Sequence, residues 1–118
     1  MTAEQFNGFC QTLPAATYVR QWGGSHVWKV GGKVFAIGSW GDKLSGITFK
    51  VSPLSFELLQ HQPGLRPAPY LASRGMKWIQ CFAEPGLTPS ELQAYLRHSY
   101  ETVGQGLSKT KRISLGLN

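Results

Sequence analysis

Residues 26–51 read HVWKVGGKVFAIGSWGDKLSGITFKV, and this stretch decides the fold. The pair Gly31-Gly32 separates two apolar runs, and a two-residue glycine connection supplies the positive φ angles that a tight β-hairpin requires. In the segment SGITFKV at 45–51, apolar side chains alternate with polar ones, which is the period of a strand with one buried face. We therefore predict consecutive antiparallel strands joined as hairpins.

Two further strands flank this stretch. Tyr18, Val19 and Trp22 lie in a short β-prone run that ends at Gly23-Gly24. The segment KWIQCFA at 77–83 is bounded by glycine on one side and by a Pro-Gly pair on the other, so it is predicted to form a fifth strand.

Three helices are predicted from their start signals. Thr2 and Gln5 have the form of a capping box, and TPSE at 88–91 combines an N-cap residue, proline and an acid. Ser52-Pro53 begins the second helix, which is predicted to end near His61. Apolar residues then recur at helical spacing in the first and last helices: Phe6, Phe9, Cys10 and Leu13, and Leu92, Tyr95, Leu96, Ser99, Tyr100, Val103 and Leu107.

The predicted order of elements is α-β-β-β-β-α-β-α, followed by a basic tail that forms a short last turn at most. This order is typical of a two-layer α+β fold in which helices pack on one face of an antiparallel sheet of about five strands. At 118 residues, with 42% apolar residues, the chain is expected to form a single domain over 1–118 with a hydrophobic core.

The chain is basic, with 12 Lys and Arg residues against six Asp and Glu and a formal net charge of +6. Such an excess points to an anionic partner, namely nucleic acid, a membrane surface or an acidic ligand. The alternative is that the charge serves solubility alone. It stays open because the basic residues are dispersed and no run of like charges exceeds two.

The sequence shows no targeting signal, and together with the cysteine usage this predicts a cytoplasmic location. The N-terminus has no basic region followed by an apolar stretch, and no apolar run reaches the roughly 18 residues of a membrane span. Cys10 falls on the apolar face of the first helix, so a buried free thiol is favoured over a disulfide with Cys81. We expect a cytoplasmic monomer with no membrane contact.

The residues that usually carry catalysis are thinly spread. His26, His61 and His98 share no metal-ligand spacing, and the acids do not pair. The glycine-rich segments lack the P-loop frame GxxxxGK[ST]. We expect no catalytic residue, no metal, no cofactor and no enzyme activity. An enzyme would require His26 or His98 to lie beside Glu84 or Glu101 in a closed pocket.

Cations and aromatic residues are concentrated between positions 20 and 50. Two hairpins with basic tips can straddle a phosphate backbone, and exposed rings can stack on bases or wedge between them. This interpretation requires the cations to share one side of the molecule. The alternative is that the rings belong to the core, which is favoured for Trp22 and Trp28, and that the lysines are merely solvated. The residues are Arg20, Trp22, Trp28, Lys29, Lys33, Trp40, Lys43 and Lys50, with Asp42 as the only acid among them.

The segment RPAPYL at 66–71 is rigidified by prolines and cannot be a regular helix. The favoured interpretation is that it connects the second helix to the fifth strand. The alternative is that it shapes an anion-binding edge, with Arg74 and Lys77 just beyond it.

The chain resembles the MmcQ/YjbR family of small bacterial proteins. The resemblance covers nearly the whole chain, and its most specific parts are RPAPYL followed by Trp78, and Ser99-Tyr100 in the last helix. The matching segments are LPAA, KVFAIGS, ITFKVSP, PGLRPAPYL, KWIQ, LRHSYETV and LSKTKR.

The resemblance implies a two-layer α+β domain related in shape to type III secretion chaperones and frataxin-like folds. The family is often labelled DNA-binding because its paired hairpins resemble a "double wing", which is itself a fold-level analogy. The resemblance offers no catalytic residues.

The sequence therefore supports two hypotheses. The first is weakly specific binding of duplex DNA through phosphates, with wing contacts, flank contacts and a mobile basic tail. The second is a protein-interaction or chaperone-like adaptor that uses the sheet face and has a protein partner. The predicted DNA contacts are Arg20, Lys29, Lys33, Lys43 and Lys50 on the wings, Arg66, Arg74 and Lys77 at the flank, and Lys109, Lys111 and Arg112 in the tail.

Overall fold

A computed structural model describes residues 1–41, 45–69, 71 and 74–117. The elements in chain order are α1 (Ala3–Gln11), β1 (Ala16–Gln21), β2 (Ser25–Val30), β3 (Lys33–Ser39), β4 (Gly46–Lys50), α2 (Pro53–Leu59), β5 (Leu65–Pro67), β6 (Trp78–Cys81), α3 (Pro89–Gln105) and α4 (Lys109–Ser114). The strands form one antiparallel sheet in the order β1-β2-β3-β4-β6-β5. The predicted α+β class and the predicted order of the major elements are confirmed.

The predicted helix starts form as local hydrogen-bonded units. In α1, Thr2 Oγ1 accepts from the Gln5 N–H at 3.1 Å while Gln5 Oε1 accepts from the Thr2 N–H at 2.9 Å. The same reciprocal pair joins Thr88 and Glu91 at the start of α3. Each capping box satisfies backbone donors that have no partner inside the helix.

The central hairpin also forms as predicted. Gly31 and Gly32 both have positive φ, at 60° and 81°, and join β2 to β3. Trp28 pairs with Ala36 while Lys29 pairs with Val34, so Phe35 is an extra residue in β3. Because of this β-bulge, the consecutive residues Phe35 and Ala36 are both fully buried.

Helices α1 and α3 cover one face of the sheet, which we call the inner face. Trp28, which is 5% exposed, donates its indole N–H to Asn7 of α1 at 2.9 Å. On α3, the buried Ser99 hydroxyl donates to the Phe35 carbonyl of β3. The core therefore lies between the inner face and the helices. Its fully buried members include Phe6, Cys10, Val30, Phe35, Phe49, Ile79 and Leu96.

The opposite face of the sheet, which we call the outer face, is partly covered. Val27 is fully buried there, and Thr48 and Gln80 are 5% and 4% exposed. The chain after β5 lies against this face, and Ala68 donates its N–H to the Trp78 carbonyl at 2.9 Å. Arg66 and Pro67 thus belong to an edge strand, and Ala68, Pro69 and Leu71 partly cover the sheet, so this segment does more than connect two elements.

The structure refines several expectations about the elements. The sheet has six strands instead of about five, because Leu65–Pro67 pairs with β6. Helix α2 ends at Leu59, two residues before the predicted His61. The tail at Lys109–Ser114 is helical, with Ser108 as its N-cap. None of the described helices is long and apolar enough to cross a membrane.

Candidate functional sites

The two predicted wings are the β1–β2 hairpin and the β2–β3 hairpin, and their turns lie at opposite ends of the sheet. In an antiparallel meander, successive turns alternate between the ends of the strands. The turn after β1, at residues 22–24, therefore lies at the far end from the Gly31-Gly32 turn. Consequently Arg20 and Lys33, each near one tip, lie at opposite ends of the sheet.

Arg20 is also on a different face from Lys29 and Lys50. It pairs with His26 across β1 and β2, and paired residues share a face. His26 is on the inner face, because Asn7 of α1 contacts its ring. The Arg20 side chain turns back and donates Nε–H to the Gly24 carbonyl at 2.9 Å. The expectation that the cations of residues 20–50 share one side is therefore wrong for Arg20, and also for Lys33, which pairs with the inner-face residue Val30. Lys43 lies outside the described residues.

Lys29 and Lys50, in contrast, share both a face and an end. Lys29 pairs with Val34, Lys50 pairs with Trp78, and Ala36 pairs with Phe49. By this register both lysines lie on the outer face at the Gly31-Gly32 end. One strand separates them, so their backbones are roughly 10 Å apart at the usual strand spacing.

Four more lysines belong to the same end of the molecule. Lys33 directly follows the glycine turn. The Lys77 carbonyl accepts a hydrogen bond from the Val51 N–H, which places Lys77 beside the end of β4. A Cβ at Gly31 would lie 2.6 Å from Leu107, so the start of α4 is next to the turn. Lys109 and Lys111 lie in the first turn of α4. We call these six residues the basic end: Lys29, Lys33, Lys50, Lys77, Lys109 and Lys111.

A hollow of about 430 Å³ lies within the basic end. Lys50, Lys77 and His98 all line it, together with Trp78. Lys77 places its ammonium 4.7 Å from the centre of the Phe56 ring, which holds the lysine stem along the wall. The hollow therefore brings two permanent cations and a histidine together.

Three of the five described acidic residues lie at the other end, whereas Glu57 adjoins Phe56, which Lys77 contacts, and Glu101 adjoins Thr102, which lines the hollow. Glu4 begins α1, Glu84 follows β6, and Glu91 begins α3, all away from the Gly31-Gly32 turn. Across the part of the chain that the structure describes, no ion pair joins a lysine or arginine to a carboxylate. The lysines of the basic end are thus available to an anionic partner.

Two further predicted contacts are held or enclosed by the protein. Arg66 donates Nε–H to Gln80 Oε1 at 2.8 Å, and its guanidinium lies 4.3 Å from the centre of the Phe82 ring. Arg112 is half-buried, and its Nε is enclosed without a hydrogen-bond partner. Neither is a free surface cation. The predicted mobile tail is thus corrected to a helix whose Arg112 faces inward.

His26, which an enzyme would require, and the buried thiol of Cys10 have structural surroundings. His26 Nδ1 lies 2.8 Å from the Tyr18 hydroxyl and 3.1 Å from Asn7 Nδ2. Burial, and then the charge of Arg20, lower the pKa of His26, so its neutral form is favoured. Burial raises the pKa of the Cys10 thiol to about 12, which removes its nucleophilic form. Among the described residues, no cluster of three His, Cys, Asp or Glu side chains is placed to hold a metal ion.

A second cavity, of about 440 Å³, lies over the outer face toward the turn at 22–24. Its lining residues come from the sheet, from the turn and from the chain after β5: Trp22, Ser25, Ile37, Ser39, Thr48, Ala68, Pro69, Leu71, Arg74 and Gln80. Trp22 is 62% exposed, so the expectation that it belongs to the core is wrong, whereas Trp28 is buried as expected. Arg74 lies here and not with the basic end. Sequence reasoning missed this cavity because its walls come from segments far apart in the chain.

Known proteins share this fold. The family model described as YjbR matches residues 11–102. A crystal structure of a Deinococcus radiodurans protein, with a domain named DUF419, has a TM-score of 0.84 at 24% sequence identity and covers 99% of this chain and 89% of that chain. A Pseudomonas syringae protein has a TM-score of 0.68 at 22% identity, over 87% of this chain and 99% of that chain. No curated protein matches the sequence.

Proposed function

The chain belongs to the YjbR family, and we propose that it binds duplex DNA through the phosphate backbone, using the basic end as the contact surface. The register of the sheet carries this proposal, because it places Lys29 and Lys50 on one face and end beside Lys33 and Lys77. Six cations without ion pairs among the described residues form a field that attracts a polyanion. This surface differs from a double wing, since the two hairpin tips lie at opposite ends.

The proposed binding is weakly specific. Lysine is a compact point charge that suits phosphate, and phosphate contacts position a protein without reading sequence. The basic end is built from strand ends, a turn and the six-residue helix α4. It presents no long recognition helix for the major groove. The proposal assigns the chain a binding role without a catalytic step.

Salt dependence is the direct test. If about six phosphates are neutralised, log K falls against log salt with a slope near −5. Fluorescence anisotropy of a labelled duplex, titrated over a series of salt concentrations, measures this slope. Two duplexes of different sequence should give similar affinities. Absence of binding at low salt, or binding that salt does not weaken, contradicts the proposal.

A matched pair of variants locates the surface. The double variant Lys29→Gln/Lys50→Gln removes two cations from the basic end and should make the slope less steep by about 1.8. Arg20→Gln removes a cation from the other end and the inner face, and should leave the slope unchanged. Equal effects of the two variants would mean that only net charge matters and that the basic end is not the contact surface.

A protein partner is the second candidate function, and one observation supports it. Leu54 and Leu58 are 71% and 63% exposed and lie one turn apart on α2. Such a pair on a helix is the start of an apolar contact surface. The outer face of the sheet suits this role less well, because Val27, Thr48 and Gln80 are already covered.

The variant Leu54→Glu/Leu58→Glu tests the second candidate. After nuclease treatment, a protein recovered with the wild-type chain should be lost from this variant and retained by Lys29→Gln/Lys50→Gln. A partner that both variants retain does not use α2. A partner that disappears on nuclease treatment is bound through nucleic acid and supports the DNA proposal.

A further inference from the structure

Trp22 is held in a conformation that its side chain disfavours. It lies in the turn between β1 and β2 with φ of 50°, followed by Gly23 and Gly24 at 76° and 101°. Glycine adopts such angles without a steric penalty, whereas a bulky residue rarely does. The indole is 62% exposed, so burial in the core does not account for it. An exposed aromatic ring on a strained backbone is a reason to look for a ligand beside it.

The cavity beside Trp22 has the composition of a small-molecule site. Ile37, Ala68, Pro69 and Leu71 give it apolar walls, and its volume of about 440 Å³ falls within the range of roughly 300–1,000 Å³ for such sites. Its floor is the outer face of the sheet, which is made of rigid strands. The cavity is therefore a preformed apolar cleft next to an indole.

Polar groups converge on this cleft from three strands. The Ser25 and Ser39 hydroxyls lie 2.7 Å apart, at neighbouring positions of β2 and β3. Thr48 of β4 is 5% exposed and lines the cavity, and no described residue hydrogen-bonds its hydroxyl. Because Thr48 lines the cavity, its hydroxyl can donate a hydrogen bond to a ligand there or accept one from it.

Arg74 gives the cavity its charge. It is the one charged residue among the described lining residues, and no described carboxylate pairs with it. Guanidinium groups bind carboxylates through two parallel hydrogen bonds. The cleft thus combines a stacking ring, apolar walls and a single positive charge.

We propose that this cavity binds a small aromatic carboxylate, with the ring against Trp22 and the apolar wall, and the carboxylate on Arg74. The Thr48 hydroxyl contributes a hydrogen bond from the floor. The site is separate from the basic end, because it lies toward the turn at 22–24 and uses none of the six lysines. It therefore stands whether or not the chain binds DNA.

Indole-3-acetate is the probe for the test, with indole-3-acetamide as the neutral isostere and acetate as the carboxylate without a ring. Isothermal titration calorimetry should show saturable 1:1 binding of indole-3-acetate. Both controls should bind at least about ten-fold more weakly, since a hydrogen bond to a charged group and a stacked ring each carry that much discrimination. Amide shifts in ¹H–¹⁵N NMR spectra should appear at Ile37, Ser39 and Thr48.

Three variants make the test specific. Arg74→Gln should weaken binding of the acid about ten-fold or more and leave the amide unchanged. Trp22→Gly suits the positive φ, so it should fold at least as stably as the wild type while losing affinity for both compounds. Lys33→Gln, at the basic end, should change neither affinity.

Three results would overturn the proposal. One is no saturable binding of indole-3-acetate at millimolar concentration. Another is an equal loss of acid and amide binding in Arg74→Gln, which would mean that the arginine does not read the carboxylate. The third is a set of amide shifts at Lys29, Lys50 and Lys77, which would place the compound on the basic end.

Discussion

A single hydroxyl, that of Ser99, ties α3 to two neighbouring strands. Ser99 is fully buried, donates to the Phe35 carbonyl at 2.6 Å and accepts the Lys50 N–H at 2.9 Å. The bulge in β3 leaves these two backbone groups to be satisfied by the side chain. Ser99 is thus a polar residue on an apolar stripe because its hydroxyl satisfies two buried backbone groups.

Replacing Ser99 by alanine should destabilise the fold by about 2–4 kcal/mol, because two backbone groups lose their partner. Denaturant unfolding measures the change. Ser90→Ala, at an exposed position of the same helix, should stay within about 0.5 kcal/mol of the wild type. Equal stability of the two variants would show that water satisfies both groups in place of Ser99.

The Cys10 thiol makes stability depend on pH in the alkaline range. Burial raises its pKa from 9.0 to about 12, whereas the unfolded chain exposes a thiol of ordinary pKa. Above about pH 9 the unfolded state releases a proton that the folded state keeps. Stability should therefore fall by up to about 1.4 kcal/mol per pH unit between the two pKa values, and no such loss should occur below pH 9.

Unfolding at about pH 8 and about pH 10 measures this loss. Cys10→Ala is less stable at both values, but should lose less between them than the wild type does. A thiol reagent should modify the half-buried Cys81 in the folded protein and reach Cys10 only on unfolding. Rapid modification of both thiols under native conditions would contradict the burial of Cys10.

At the level of elements, glycines in helices and in the sheet should respond oppositely to alanine. A Cβ at Gly8 of α1 or Gly104 of α3 would meet no atom within 4 Å, so Gly→Ala should stabilise by up to about 1 kcal/mol. A Cβ at Gly38 of β3 would lie 2.7 Å from the Trp40 ring and 2.8 Å from the Phe6 ring. Gly38→Ala should destabilise by about 1–3 kcal/mol. Thermal unfolding of the three variants checks the signs.

Elements with a local signal were predictable from the sequence. The capping boxes at Thr2 and Thr88 and the Gly31-Gly32 hairpin depend only on neighbouring residues, and all three are confirmed. Strand β5 was missed because three residues ending in proline cannot show a period of two. Its pairing with β6 is a tertiary contact. For α4, a six-residue helix, most of the stabilisation comes from packing and not from propensity.

The candidate sites were less predictable than the elements. Lys33 is exposed, and Lys29 and Lys50 are half-buried at the ends of their strands. The sequence does not show which of these lysines lie together. That depends on the direction of each turn and on the strand register, which the bulge at Phe35 shifts. The prediction that Trp22 belongs to the core was wrong for a related reason, because hydrophobicity alone does not reveal a positive-φ turn. The cleft beside it is assembled from five parts of the chain.

At the scale of the whole molecule, the two lysines of α4 should contribute charge to the basic end but little to the stability of the fold. Lys109→Gln/Lys111→Gln should make the salt slope of DNA binding less steep by about 1.8. Both lysines are exposed, so the free energy of unfolding should change by less than about 0.5 kcal/mol. Anisotropy titrations over the same salt series as for the wild type measure the slope. An unchanged slope would remove α4 from the contact surface.

Because α3 comes last among the elements that cover the inner face, the chain must be made through α3 before its core can close. Tyr100 of α3 donates to the carbonyl of Pro14, across 86 positions of sequence. A nascent chain therefore exposes Phe35 and Phe49 until α3 has left the ribosome, and such exposed strands are prone to aggregate. Ribosome-stalled chains ending before Thr88 should be cut readily by a protease, and released full-length chains should resist it.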